Sequence, residues 1–173
     1  MPYLPPLELR VLLGEMRRRW TSFVPSSRLV PLLMFLNTTI DPRDHSSCSL
    51  SYDEVEHWLC AVWRGYIDPL EALRGAEAYL RHAAHTPSAK LFNDNSQLQG
   101  PWFESTTWLA KVWVPQAQRL GLRYVAHVVQ ADQHYDILAL SSPMVLPFEL
   151  QIFDDVAEAQ HWLRECQVAD LQQ

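Results

Sequence analysis

Asp68-Pro69-Leu70-Glu71 constrains the fold of this chain more than any other four residues. The aspartate can accept from the first free helix amides, and the proline lacks an N–H where none is needed. The glutamate, three residues after the aspartate, can reach back to it, so the spacing predicts a helix starting at Pro69. Leu73, Ala76, Leu80 and Ala83 then recur at helical spacing while Arg74, Glu77 and Arg81 point away, as on a helix that packs one stripe against a sheet. Strand-forming residues flank it: His57 to Arg64 (HWLCAVWR) before, and Lys90-Leu91-Phe92 after the break at Thr86-Pro87-Ser88. A helix joining two strands of one sheet is a crossover, so these strands are expected to run parallel in an α/β domain.

Upstream, Cys48 to Tyr52 and the strand from His57 are separated by the short acidic run Asp53-Glu54-Val55-Glu56, the pattern of an antiparallel hairpin. A three-residue turn would set Cys48 opposite Cys60, giving either a cross-strand disulfide or two buried thiols; one step of register breaks the pairing. Three cysteines without a CxxC spacing favour thiols, a reducing compartment and a cytoplasmic location, and no zinc module. His82 and His85, three apart, lack a third ligand nearby and read as solvated residues at a helix C-terminus, so no metal or cofactor is expected.

Downstream, the strand at Lys90 is expected to run into a polar loop, Asn93-Asp94-Asn95-Ser96. An aromatic helix follows Gly100-Pro101, carrying Trp102, Trp108, Leu109, Val112, Trp113 and Leu120, with a kink or break at Pro115 and a stop at Gly121. Arg123 to Val129 is an apolar run suited to a central strand, and Phe148 to Phe153 alternates like a strand with one wet face. Asp136 to Leu140 reads as a short helix. Asp155 with Glu158 opens a last helix with Val156, Ala159, Leu163 and Cys166 inward. These elements are expected to form an α/β domain, hairpin first and crossovers after.

Residues 1–45 differ from the rest: six arginines (10, 17, 18, 19, 28, 43) stand against four acids, and prolines at 2, 5, 6, 25 and 31 interrupt any long element. They read as a poorly ordered or over-extended segment, with Met34 as an alternative natural start, ahead of a domain over 46–167 and a frayed tail over 168–173. The apolar run at Leu29 to Leu36 is shorter than the roughly 20 residues that span a bilayer, so no integral membrane segment is expected. A net charge of −6 with pI about 5.6 disfavours nucleic acid, because the only tight basic cluster is Arg17-Arg18-Arg19.

A strand that ends beside a helix start is where open α/β sheets place ligands and partners, so Asn93, Asp94, Asn95 and Ser96 form the candidate ligand or partner surface. Amides and a carboxylate also satisfy loop backbone groups. Asp94 with His127 or His134 is the acid–base pair that an enzyme would use, given hydrogen-bond reach.

The succession of Trp63-x-Gly65-Tyr66, Asn93-Asp94-Asn95, Gly100-Pro101-Trp102, Trp108, Trp113 with Pro115, Gly121-Leu122-x-Tyr124 and Phe153-Asp154-Asp155 leading to Trp162-Leu163 resembles small bacterial SpoIIAA-like or STAS-like domains, over about residues 50 to 166. The resemblance implies a mixed sheet of four to five strands with helices mainly on one face; with no complete catalytic constellation in the chain, a non-enzymatic binding or regulatory module of this type, with a protein partner, is the first reading. The resemblance also implies a phosphorylated serine at the start of the helix after a central strand, where this chain has Ser105 and Thr106. The Asp-Ser-Ser-Gly pattern of the anti-sigma-factor antagonists is absent here. A second reading is a carrier of a small apolar ligand or lipid, motivated by the tryptophan-rich helix and by the lipid-transfer fold with which STAS-like domains are grouped. It needs a dry cavity beneath Trp102, Trp108 and Trp113, whereas indoles at such spacing usually fill a core.

Overall fold

Strand-forming runs, two side-chain-capped helix starts and one glycine-stopped helix assemble into an α/β domain. The computed structural model describes residues 33–99, 106–130 and 146–167. Six strands form one sheet in sequence order: β1 (Leu33–Ile40), β2 (Ser47–Asp53), β3 (Trp58–Tyr66), β4 (Lys90–Gln99), β5 (Tyr124–Val128) and β6 (Glu149–Phe153). β1, β2 and β3 pair antiparallel, and β3 to β6 pair parallel. The helices are α1 (Pro69–Ala83), then α2, built from Thr106–Trp108, a π-helical stretch Leu109–Trp113 and Val114–Arg119, and last α3 (Val156–Glu165). No helix among the described residues is long and apolar enough to cross a membrane.

The expected helix start is present in full. Asp68 accepts from the amides of Leu70 and Glu71, while the Glu71 carboxylate accepts from the Asp68 amide. Asp155 caps α3 by accepting from the Glu158 amide. Of the kink or break expected at Pro115, α2 has a break in its α-helical ladder just ahead of the proline. The turn ahead of it widens to π geometry, with the Val114 amide donating to the Leu109 carbonyl, and this accommodates a residue that has no N–H for the α-helical ladder. Gly121, at φ 99°, ends α2 as expected: its amide donates to the Gln118 carbonyl and that of Leu122 to the Ala117 carbonyl, a Schellman pair.

Because side chains alternate across a strand, the two sheet faces carry separate cores. Leu59, Ala61, Leu91 and Val125 meet Tyr79 and Leu80 of α1 and Val114 and Ala117 of α2. Trp58, Cys60, Phe92 and Ala126 face the other way, onto Ala159 and Leu163 of α3. Helices therefore cover both faces: α1 and α2 lie on one, α3 on the other.

Several expectations are corrected. The sheet has six strands, not four to five, because Leu33–Ile40 pairs along β2; the folded domain thus begins ahead of residue 46, and Met34 lies inside β1 opposite Tyr52. Exposed apolar positions and a bulge at Leu36 hide β1 from a search for clean alternation. Cys48 pairs with Trp63 and Cys60 with Ser51, so the two thiols fall on opposite faces and all three cysteines are free. On α3, Val156 is exposed while Ala159 and Leu163 are buried. The expected helix at 136–140 and the tail 168–173 lie outside the described residues.

Candidate functional site

The site is built outward from a glycine. Gly75 lies inside α1, where glycine is a poor helix former, but a β-carbon there would come within 2.3 Å of the Trp63 ring and 3.0 Å of the Cys48 sulfur. The missing side chain lets the indole of Trp63 lie between β3 and α1, buried with Ile67, Ala72 and Leu98. From there its Nε1–H donates to Oδ1 of Asn93 on β4 at 2.9 Å. The Asn93 amide nitrogen in turn donates to Nδ1 of His127 on β5 at 2.7 Å and to Oδ1 of Asn95 at 3.2 Å.

Donor and acceptor inventory fixes the direction of every bond in this network. An indole N–H can only donate, so the Asn93 atom that faces it is the carbonyl oxygen. The amide nitrogen must then face His127 and Asn95. Nδ1 of His127 accepts, which places the ring proton of a neutral imidazole on Nε2. Burial pushes the His127 pKa down to about 4, with the charge of Asp94 opposing the shift. Asn95 accepts through Oδ1 and is left with its own amide nitrogen as a donor. That nitrogen is buried and has no hydrogen-bond partner among the described residues, in a side chain only 2 % exposed. Leaving a buried donor unpaired costs about 1–3 kcal/mol.

The backbone explains why two asparagines share one face. Asn93-Asp94-Asn95-Ser96 is not the expected loop: β4 continues to Gln99, and the polar run forms a bulge within it. Val62 pairs with Asp94 and Arg64 with Gln97, so Asn95 and Ser96 together oppose Trp63. The Asp94 carboxylate accepts from the Ser96 amide at 2.9 Å, and the Gln130 side chain donates to the Ser96 carbonyl at 2.9 Å, so the irregular backbone is held from both sides. The residues favoured in turns read as a loop, but here they shape a strand. The bulge lies toward the carboxyl ends of the central parallel strands, where open sheets place ligands.

The remaining candidates separate. Asn93 pairs with His127 and Asp94 with Val128, so Asp94 points to the opposite face from His127 and the Asp94–His127 form of the expected acid–base pair is not assembled. His134 and Ser105 lie outside the described residues, and Thr106 is the first residue of α2. Trp113 packs into the core, its Nε1–H donating to the Ala76 carbonyl at 3.2 Å and its ring lying 5.3 Å from Tyr79 and 6.2 Å from Phe148. Trp102 is outside the described residues.

Two further features lie away from the bulge. Asp41, Asp68 and Glu71 each bring a carboxylate oxygen within 4.8 Å of the others. Arg43 pairs with Asp41 and Asp68, while Asp68 and Glu71 form the α1 cap, so the trio ties the β1–β2 turn to the helix start. The Arg43 hydrogen bonds hold Asp41 well below the usual carboxylate range, and burial raises Glu71. At the amino ends of β3 and β4 an open cleft of about 440 Å³ is lined by Tyr52, His57, Pro87, Ser88 and Lys90 among others.

The Asn93–Ser96 run is legible in the sequence as a site, whereas Trp63 stands there only as part of a motif and Gly75 carries no signal of what packs on it. Only the strand register brings an indole from β3 beside an amide from β4. Comparison with protein-family models, curated proteins and solved structures finds no match to the chain.

Proposed function

We propose that this domain is a non-enzymatic binding module of STAS-like type, and that the β4 bulge from Asn93 to Ser96 is the surface that meets its ligand or partner. One observation carries the reading: Asn95 keeps a buried amide donor without a partner among the described residues, beside a network in which the donors of Trp63 and Asn93 are used. The structural duty of Asn95, accepting from Asn93 through Oδ1, leaves its buried donor unused, and a group that arrives from outside would satisfy it. Asn93 and Ser96, on either side of Asn95, are half-buried. The STAS-like type rests on the sequence resemblance, with which the hairpin and parallel strands of the α/β sheet agree in fold class.

Affinity purification from the native host, with small-molecule and lipid extraction of the same sample, tests the reading when wild type is compared with Asn95→Leu. The expected result is a species retained by wild type and lost from a variant that is destabilised through the Asn93 bond but still folded at the temperature of purification. Identical profiles for the two baits, or no retained species, would overturn it.

A further inference from the structure

Resting on that reading, we propose that the occupant of the β4 bulge is a small molecule that presents a neutral carbonyl oxygen, of amide or ketone type, to Nδ2 of Asn95.

The polarity follows from the chain of donors. Trp63 can only donate, so Asn93 must turn its oxygen to the indole and its nitrogen to His127 and Asn95. Asn95 answers with Oδ1, and what it has left is an N–H group. A ligand donor would find no complementary atom there; an oxygen acceptor would complete the network. Rotating the Asn95 amide to reverse this polarity would set two N–H groups against each other at Asn93.

The charge follows from the surroundings. Trp63, Asn93, Asn95 and His127 include no cation, since the imidazole is neutral, and Asp94 on the adjacent position of β4 is a carboxylate. Arg64, which flanks the bulge, is exposed and donates to Gln97, so among the described residues of this network a buried anion would have no counter-charge and would be repelled by Asp94, whereas a neutral carbonyl loses far less on leaving water. Size follows from burial: at 2 % exposure the Asn95 side chain is out of reach of a flat protein surface, and only a slender group approaches it.

Uniformly ¹⁵N-labelled full-length protein titrated with N-methylacetamide and, separately, with sodium acetate at neutral pH gives the test. N-methylacetamide is expected to move the Asn95 side-chain NH₂ resonances saturably and several-fold further than those of exposed Gln97, with acetate producing no such shift. Asn95→Asp, which turns the donor into an acceptor, is expected to abolish any saturable shift of the Asn93 NH₂ group; Asn95→Gln, which keeps the donor, is expected to preserve it. A larger response to acetate would overturn the neutral class. No response to either probe would overturn the carbonyl assignment altogether. If the purification comparison still showed a species lost from Asn95→Leu, the binding reading would survive with a ligand of another class.

Discussion

Acidification should strike this fold first at His127. In the unfolded chain the imidazole titrates at the ordinary 6.5, whereas in the folded protein burial lowers it to about 4. Between those values the unfolded state binds more protons, so the neutral imidazole contributes stability that is fully present above pH 6.5 and is lost as pH falls toward 4. At about 1.36 kcal/mol per pH unit, the gap corresponds to about 3 kcal/mol, a large share of a typical domain's total. Protonation would also place a donor on Nδ1 facing the Asn93 amide nitrogen, and Asn93 cannot flip without opposing the Trp63 N–H. Urea unfolding of wild type and His127→Leu at intervals from pH 7 to pH 4.5 isolates this contribution, because the carboxylates titrate in both proteins and cancel in the difference. The advantage of wild type over the variant is expected to shrink by about 2–3 kcal/mol over that range. Curves that stay parallel would refute the reasoning, since the imidazole would then be titrating alike in folded and unfolded chains.

Gly75→Ala should destabilise the domain even though alanine is the better helix former by about 1 kcal/mol. The new methyl would sit 2.3 Å from the Trp63 ring, and overpacking of this kind costs about 1–3 kcal/mol or more, read as a lower urea midpoint. Burial pushes the Cys48 and Cys60 thiols up to about 12, while Cys166 is only half-buried, so a thiol-exchange reagent at pH 8 is expected to modify one cysteine in the native protein and three in denaturant. Asp68→Ala should remove the α1 cap and lower stability by about 1 kcal/mol in the same unfolding assay.

The elements that could be read in the sequence are those whose signals are local. Asp68-Pro69-Leu70-Glu71 and Asp155 with Glu158 announce helix starts by side chains that act within one turn, and Gly121 announces a stop by its own φ. The apolar run of β5 needed no partner to identify it as central. What stayed hidden depends on pairing. β1 lacks alternation because its outer positions are open, and the Cys48 register depended on a turn length that composition does not set. Asn93 to Ser96 were legible as a site but misread as a loop, because amide-rich segments favour turns unless an indole and an imidazole on neighbouring strands use those amides. Gly75 could have signalled a close approach, being a glycine within a well-capped helix, but not what approaches.

Long-range ¹H–¹⁵N correlation spectroscopy of the His127 ring at neutral pH tests most directly whether Trp63 orients Asn93 and, through it, the imidazole. The account requires a proton on Nε2 and a bare, accepting Nδ1, with that preference relaxing in Trp63→Phe, where the donor-only indole is gone. A proton on Nδ1, or a tautomer unchanged by Trp63→Phe, would contradict it.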